Sequence, residues 1–109
     1  MYVTFDCENP RLLGKFWSEA TGYVPVMETD DLVALAAPDK RGVRGILFWK
    51  VPEPKVSKNR MHVDLASKIP EREIARLVSL GGQRVEYREA NGRSWTVMLD
   101  PEGNEFCIG

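Results

Sequence analysis

A chain of 109 residues suits one domain of ordinary size, and its 43% hydrophobic and 28% charged content is that of a globular protein. The formal net charge of -1 comes from 15 basic and 16 acidic residues that alternate along the chain, which argues against a nucleic-acid binder relying on a basic surface. No apolar run approaches the ~18 residues of a membrane span, and the N-terminal MYVTFDCENP lacks a signal peptide's basic flank and apolar stretch, so the expectation is a cytoplasmic chain with Cys7 and Cys107 as free thiols.

Taken in order, Tyr2 to Cys7 alternates with a period of two and predicts a strand with Val3, Phe5 and Cys7 on its apolar face. Asn9-Pro10 opens a helix, with Asn as N-cap and Pro in the first turn. Leu12, Leu13, Phe16, Trp17 and Ala20 form its apolar stripe, and Gly22 ends it. Strands are predicted at Tyr23 to Glu28, Leu32 to Ala37 and Val43 to Lys50, with a turn at Thr29 to Asp31 and a polar loop from Pro38 to Gly42. In the last of these strands Ile46 and Phe48 share one face, Leu47 and Trp49 the other. Val51 to Asn59, with two prolines, reads as a linker.

The order of elements then repeats. Met61 to Ala66 is a strand with Met61, Val63 and Leu65 toward the core, leaving His62 and Asp64 on the opposite face. Pro70 opens a second helix with Glu71 and Glu73 in its first turn. Ile69 is a poor N-cap, so a start nearer Ser67 is open. Ile74, Leu77 and Val78 form the apolar face, and Gly81-Gly82 stop the helix. Gln83 to Glu89 and Trp95 to Leu99 are strands flanking an Asn91-Gly92 turn. Asp100-Pro101-Glu102-Gly103 is a type I turn, and Asn104 to Ile108 the closing strand, with Phe106 and Ile108 on one face and Glu105 and Cys107 on the other.

Pro10 thus matches Pro70, Gly22 matches Gly81, and Phe48 matches Phe106. Each half reads strand, helix, three strands, and each is too small to bury a core alone. The predicted fold is α+β: two tandem βαβββ modules forming a curved, cup-like mixed sheet with the helices outside. The single domain 1–109 divides into module 1 at 1–51, a linker at 52–58 and module 2 at 59–109. The faces away from the helices carry Tyr2, Thr4, Asp6, Trp49, His62, Asp64, Glu105 and Cys107, a mixture suited to a small-molecule pocket.

A tandem βαβββ repeat resembles the vicinal oxygen chelate superfamily, which includes glyoxalase I, extradiol dioxygenases, fosfomycin-resistance enzymes and bleomycin-resistance proteins. Asn9-Pro10 through Phe16-Trp17 looks like the family's first helix. Lys58 to Leu65 looks like the strand opening the second module of glyoxalase-like domains. Asp100 to Ile108 is similar to the closing turn and strand. Catalytic members hold a divalent metal with four side chains, His or Gln, Glu, His and Glu, from the first and last strands of each module. Carried onto this chain, those positions fall near Tyr2 and Trp49 and at His62 and Cys107. Only His62 keeps a standard ligand type, and a catalytic or closed site needs three or four donors.

The resemblance therefore implies a binder of a small organic molecule, nearest in function to bleomycin-resistance sequestration, with no metal or other cofactor and a homodimeric assembly, and the charge balance and the lack of a long apolar run add the expectation of no nucleic-acid or membrane partner. The expected ligand-binding residues are Tyr2, Trp49, His62, Asp64 and Cys107. The alternative is a lyase, isomerase or dioxygenase of the same superfamily. His62, the only histidine, is then the best catalytic candidate, as metal ligand or acid–base group. A histidine satisfied by Asp64 is the simpler reading of the same residue. Cys107 reads either as a nucleophile beside His62 or as a small buried residue, and Asp6, Asp64 and Glu105 either as acid–base carboxylates or as solvated charges. The cup as an inert dimerisation surface is a third possibility.

Overall fold

The computed structural model describes residues 1–39 and 42–109. The predicted polar loop from Pro38 to Gly42 includes Lys40 and Arg41, which lie outside the described residues. The chain forms two units, Met1–Lys55 and Val56–Gly109. In the first, β1 (Tyr2–Cys7) leads to α1 (Pro10–Thr21), then to β2 (Val24–Glu28), β3 (Leu32–Ala36) and β4 (Gly45–Lys50). In the second, β5 (Val63–Leu65) leads to α2 (Pro70–Ser79), then to β6 (Gln83–Ala90), β7 (Arg93–Leu99) and β8 (Glu105–Ile108). Each unit is therefore a βαβββ module, and the α+β tandem repeat expected from the sequence is what the chain folds into.

Each module has its own four-stranded mixed sheet, ordered β1-β4-β3-β2 and β5-β8-β7-β6. The first strand runs parallel to the last, and the other neighbours are antiparallel. A parallel neighbour needs a long crossover, which the helix and two intervening strands supply. One outer strand of each sheet carries an irregularity near its start, between Pro25 and Met27 in β2 and between Arg84 and Glu86 in β6. Such bulges twist an edge away from further strand pairing.

Helix α1 starts where the sequence says. Asn9 Oδ1 accepts from the Leu12 N–H at 3.2 Å, one of the helix's first four orphan donors. Gly22 ends it at φ 80°, its N–H donating to the Ser18 carbonyl at 2.8 Å. Leu13, Phe16 and Trp17 are buried, and Trp17 meets Phe5 edge-on at 5.3 Å between ring centroids. Phe5 packs the same way on Phe48, so β1, α1 and β4 share one aromatic cluster. Each fully buried side chain of this size contributes on the order of 2 kcal/mol.

Helix α2 begins at Pro70 despite its poor cap. Ile69 makes no capping bond, but its N–H donates to Ser67 Oγ at 3.0 Å, so Ser67 shapes the turn before the helix rather than starting it. Ile74 and Leu77 are buried, whereas Val78 is 46% exposed. The helix is short and amphipathic, and its apolar face is narrower than the sequence pattern suggests. Leu12 of α1, 45% exposed, likewise leaves the predicted stripe.

One strand expectation needs correction. The strand opening the second module is only Val63–Leu65, and Met61, placed toward the core by alternation, is 78% exposed. Alternation requires a strand, and residue 61 lies before this one. In β7 the core face is Thr96 and Met98, followed by Asp100, all buried, while Trp95, Val97 and Leu99 are half-buried on the other side. The register explains this, since Met98 lies opposite Phe106 and Thr96 opposite Ile108. The Asn91-Gly92 turn behaves as read, with φ of 54° and 74° joining β6 to β7 directly. Among the described residues no helix is long and apolar enough to cross a membrane.

Candidate functional site

The helices cover one face of each sheet and leave the other open. On the first sheet the open face follows from register. Tyr2 lies beside Gly45 and Ala36, Thr4 beside Leu47 and Ala34, and Asp6 beside Trp49 and Leu32. Tyr2 and Trp49 are 64% and 52% exposed. Phe48, between Leu47 and Trp49, is fully buried in the core as expected. Gly45 allows the Tyr2 ring to lie against the sheet, because a Cβ there would stand 2.9 Å from the ring and 2.7 Å from the Leu35 carbonyl oxygen.

On the second sheet Val63 points to the helix side opposite Phe106, so His62 and Asp64 flank it on the open side. Asp64 is the parallel-ladder neighbour of Cys107. These three are brought together: His62, Asp64 and Cys107 each present a ligand atom, and all three atoms lie within 4.8 Å of one another. His62 Nε2 stands 3.6 Å from Asp64 Oδ1, with the side chains 42% and 75% exposed. That distance suits an ion pair when the imidazole is protonated but is too long for a good hydrogen bond. Cys107 is 7% exposed at the floor of the group.

Burial pushes the Cys107 thiol above its ordinary pKa, and the Asp64 carboxylate adds to the rise. Lys58 and Arg88 act in the opposite direction without cancelling it. The thiolate, not the thiol, is the nucleophile, so the group favours the reading of Cys107 as a small buried residue over that of an activated nucleophile. Lys58 and Arg88 escaped the sequence analysis. Arg88 was legible in principle, since it lies opposite Trp95 in the β6–β7 register. Lys58 lies between β4 and β5, where no strand periodicity assigns it a face. Arg88 is itself paired with Glu86 at 2.9 Å, and Glu105 Oε2 accepts from the Asn59 N–H at 3.0 Å, tying the linker to the start of β8.

The ladder also corrects the internal correspondence between modules. With Phe48 matched to Phe106, Trp49 corresponds to Cys107, Asp6 to Asp64 and Thr4, rather than Tyr2, to His62. A four-donor set for a hard divalent cation is not supplied at these positions, since neither a threonine hydroxyl nor an indole replaces an imidazole or a carboxylate. Zinc accepts nitrogen, oxygen and sulfur, and for it the second module alone offers three donors.

Among solved structures the chain is similar to a glyoxalase/bleomycin resistance protein/dioxygenase family enzyme from Burkholderia phytofirmans PsJN. The TM-score is 0.79 at 15% identity, over 98% of this chain and 94% of that one. It is also similar to a glyoxalase-related enzyme from Fulvimarina pelagi, at TM-score 0.73 and 18% identity over 98% and 84% of the two chains. A third is the fosfomycin resistance protein FosX from Listeria monocytogenes, solved with Mn(II) and dihydroxypropylphosphonic acid, at TM-score 0.78 and 10% identity over 98% and 85%. No curated protein matches. The glyoxalase-like domain model matches residues 2–109, so the chain belongs to that family, within the vicinal oxygen chelate superfamily.

Proposed function

We propose that the protein binds small organic molecules on the open faces of its sheets, through Tyr2 and Trp49 on the first and His62, Asp64 and Cys107 on the second, without the divalent metal usual among catalytic relatives. One observation carries this reading: an exposed indole, Trp49, occupies the register position that Cys107 occupies in the second module. An exposed tryptophan on a rigid strand offers a stacking surface and no metal donor. Sequestration without turnover is the activity we assign to it by analogy.

Cys7 and Cys107, both free thiols, are in keeping with a cytoplasmic location. Val24, Val26 and Met27 of β2, each half or more exposed, support a homodimer. Sedimentation as a monomer at high concentration counts against that assembly. The binding reading is tested by elemental analysis and a thermal-shift screen of small organic molecules. The expected result is no stoichiometric metal, chelator-insensitive melting, and ligand-induced shifts that Trp49→Leu removes.

A second reading is favoured by the convergence of His62, Asp64 and Cys107. Here the protein is a lyase, isomerase or dioxygenase of the superfamily with His62 as metal ligand or acid–base group. About one equivalent of metal per chain, lost on His62→Ala, selects it over the first.

A further inference from the structure

We infer that the open face of the first sheet selects a flat organic cation, an inference that rests on the small-molecule reading and names the ligand's class. The three residues of β1 on that face are Tyr2, Thr4 and Asp6; those of β4 are Gly45, Leu47 and Trp49; those of β3 are Leu32, Ala34 and Ala36. Asp6 is the one charged side chain of the nine. It is exposed, and it lies directly beside the exposed Trp49 in the parallel ladder. Among the described residues Asp6 has no ion-pair or hydrogen-bond partner, and neither do the Tyr2 hydroxyl and the Trp49 indole N–H.

Four carboxylates elsewhere on the surface have an arginine partner. Asp30 pairs with Arg11, Glu71 with Arg84, Glu73 with Arg76 and Glu86 with Arg88. An unmatched carboxylate on an otherwise apolar and aromatic face is complementary to positive charge carried on an apolar body. The indole face attracts a cation through its ring quadrupole, and the carboxylate adds a direct charge interaction. Neighbouring strands stand about 4.8 Å apart, so a single planar ligand spans both groups. An anion meets the same ring face and carboxylate with repulsion. Strands hold both side chains, so little backbone ordering opposes binding.

The test is calorimetric titration of the full chain at low salt with three probes of similar shape: N-methylquinolinium, neutral quinoline and 2-naphthoate. The cation is expected to bind about fivefold more tightly than quinoline, the size of an exposed cation–ring contact with a surface ion pair, and 2-naphthoate most weakly. Asp6→Asn, at an exposed position, should remove the preference for the cation, whereas Glu53→Gln, the same change in net charge on the linker, should leave it. Trp49→Leu should weaken all three. Equal binding of cation and quinoline, or a preference that survives Asp6→Asn, overturns the cation inference and leaves the small-molecule reading standing. Failure of all three probes to bind overturns this inference, while the broader reading then stands or falls on the thermal-shift screen.

Discussion

The two sheets follow one plan. In each, the first strand runs parallel to the last, a phenylalanine at the same register position (Phe48, Phe106) is fully buried under the helix, and an aspartate (Asp6, Asp64) sits on the open side. They differ in what stands next to that aspartate. In the first module it is Trp49, with Thr4 two residues earlier along β1; in the second it is Cys107, with His62 two residues before Asp64. One open face is aromatic with a single unmatched charge. The other gathers an imidazole, a carboxylate and a thiol, with Lys58 and Arg88 acting on the thiol. Packing on the helix side favours apolar residues at most core positions, while the open side tolerates any chemistry the pleat can display. A repeated scaffold can therefore carry two unlike recognition surfaces.

The shared core gives the largest expected effect. Phe48→Ala and Phe106→Ala should each cost about 3–5 kcal/mol in urea unfolding, the usual loss for a fully buried phenylalanine. A loss under about 1 kcal/mol at either position would break the equivalence of the two cores.

Next comes a feature of the second module. The buried Asp100 carboxylate accepts from the backbone N–H groups of Glu102 and Asn104, at 2.9 Å each, and from Asn104 Nδ2 at 2.8 and 3.1 Å. Asp100→Ala leaves those donors without their acceptor and should cost about 2–3 kcal/mol, read as a drop in melting temperature. A loss within about 0.5 kcal/mol, the usual range for a surface substitution, would show that the turn holds without its carboxylate.

The open face of the second module is sharpened by thiol chemistry. The Cys107 pKa is raised on folding, so the folded protein keeps the thiol proton to higher pH than the unfolded chain. Its contribution to stability is full below the unfolded pKa and is lost as pH rises toward the folded one. Iodoacetamide should therefore label Cys107 more slowly in the native protein than in urea at pH 8. Asp64→Asn should speed native labelling by about threefold, the size of an exposed charge interaction. No acceleration would remove Asp64 from the causes of the shift.

The smallest effect lies on α2. The Arg76 guanidinium donates two hydrogen bonds to Glu73 Oε2, at 2.7 and 3.1 Å, and holds its pKa below the ordinary carboxylate value. Its stabilisation is present above the unfolded pKa and fades as pH falls through the folded one. Glu73→Gln should cost under about 0.5 kcal/mol at pH 7, and nothing once the Glu73 carboxyl is protonated in the folded and unfolded chains alike. A loss unchanged by acid would assign it to packing rather than charge.

The sequence by itself determined the module. Strand alternation, Asn9-Pro10, the terminal glycines and the Asn91-Gly92 and Asp100–Gly103 turns are local signals, and local signals fix where elements start and stop. They also fixed the two-fold repeat and put Tyr2, Trp49, His62, Asp64 and Cys107 away from the helices. Tertiary structure decided the rest. Periodicity cannot say which face of Trp95–Leu99 is buried; pairing with β8 does, by setting Met98 against Phe106. Spacing suggested Tyr2 as the counterpart of His62; hydrogen-bonded register gives Thr4, because the loops before the two helices differ in length and only the ladder carries the alignment through. The proximity of His62, Asp64 and Cys107 joins residues more than forty positions apart, and the thiol's raised pKa follows from burial and from a carboxylate on a neighbouring strand, neither of which a linear sequence displays.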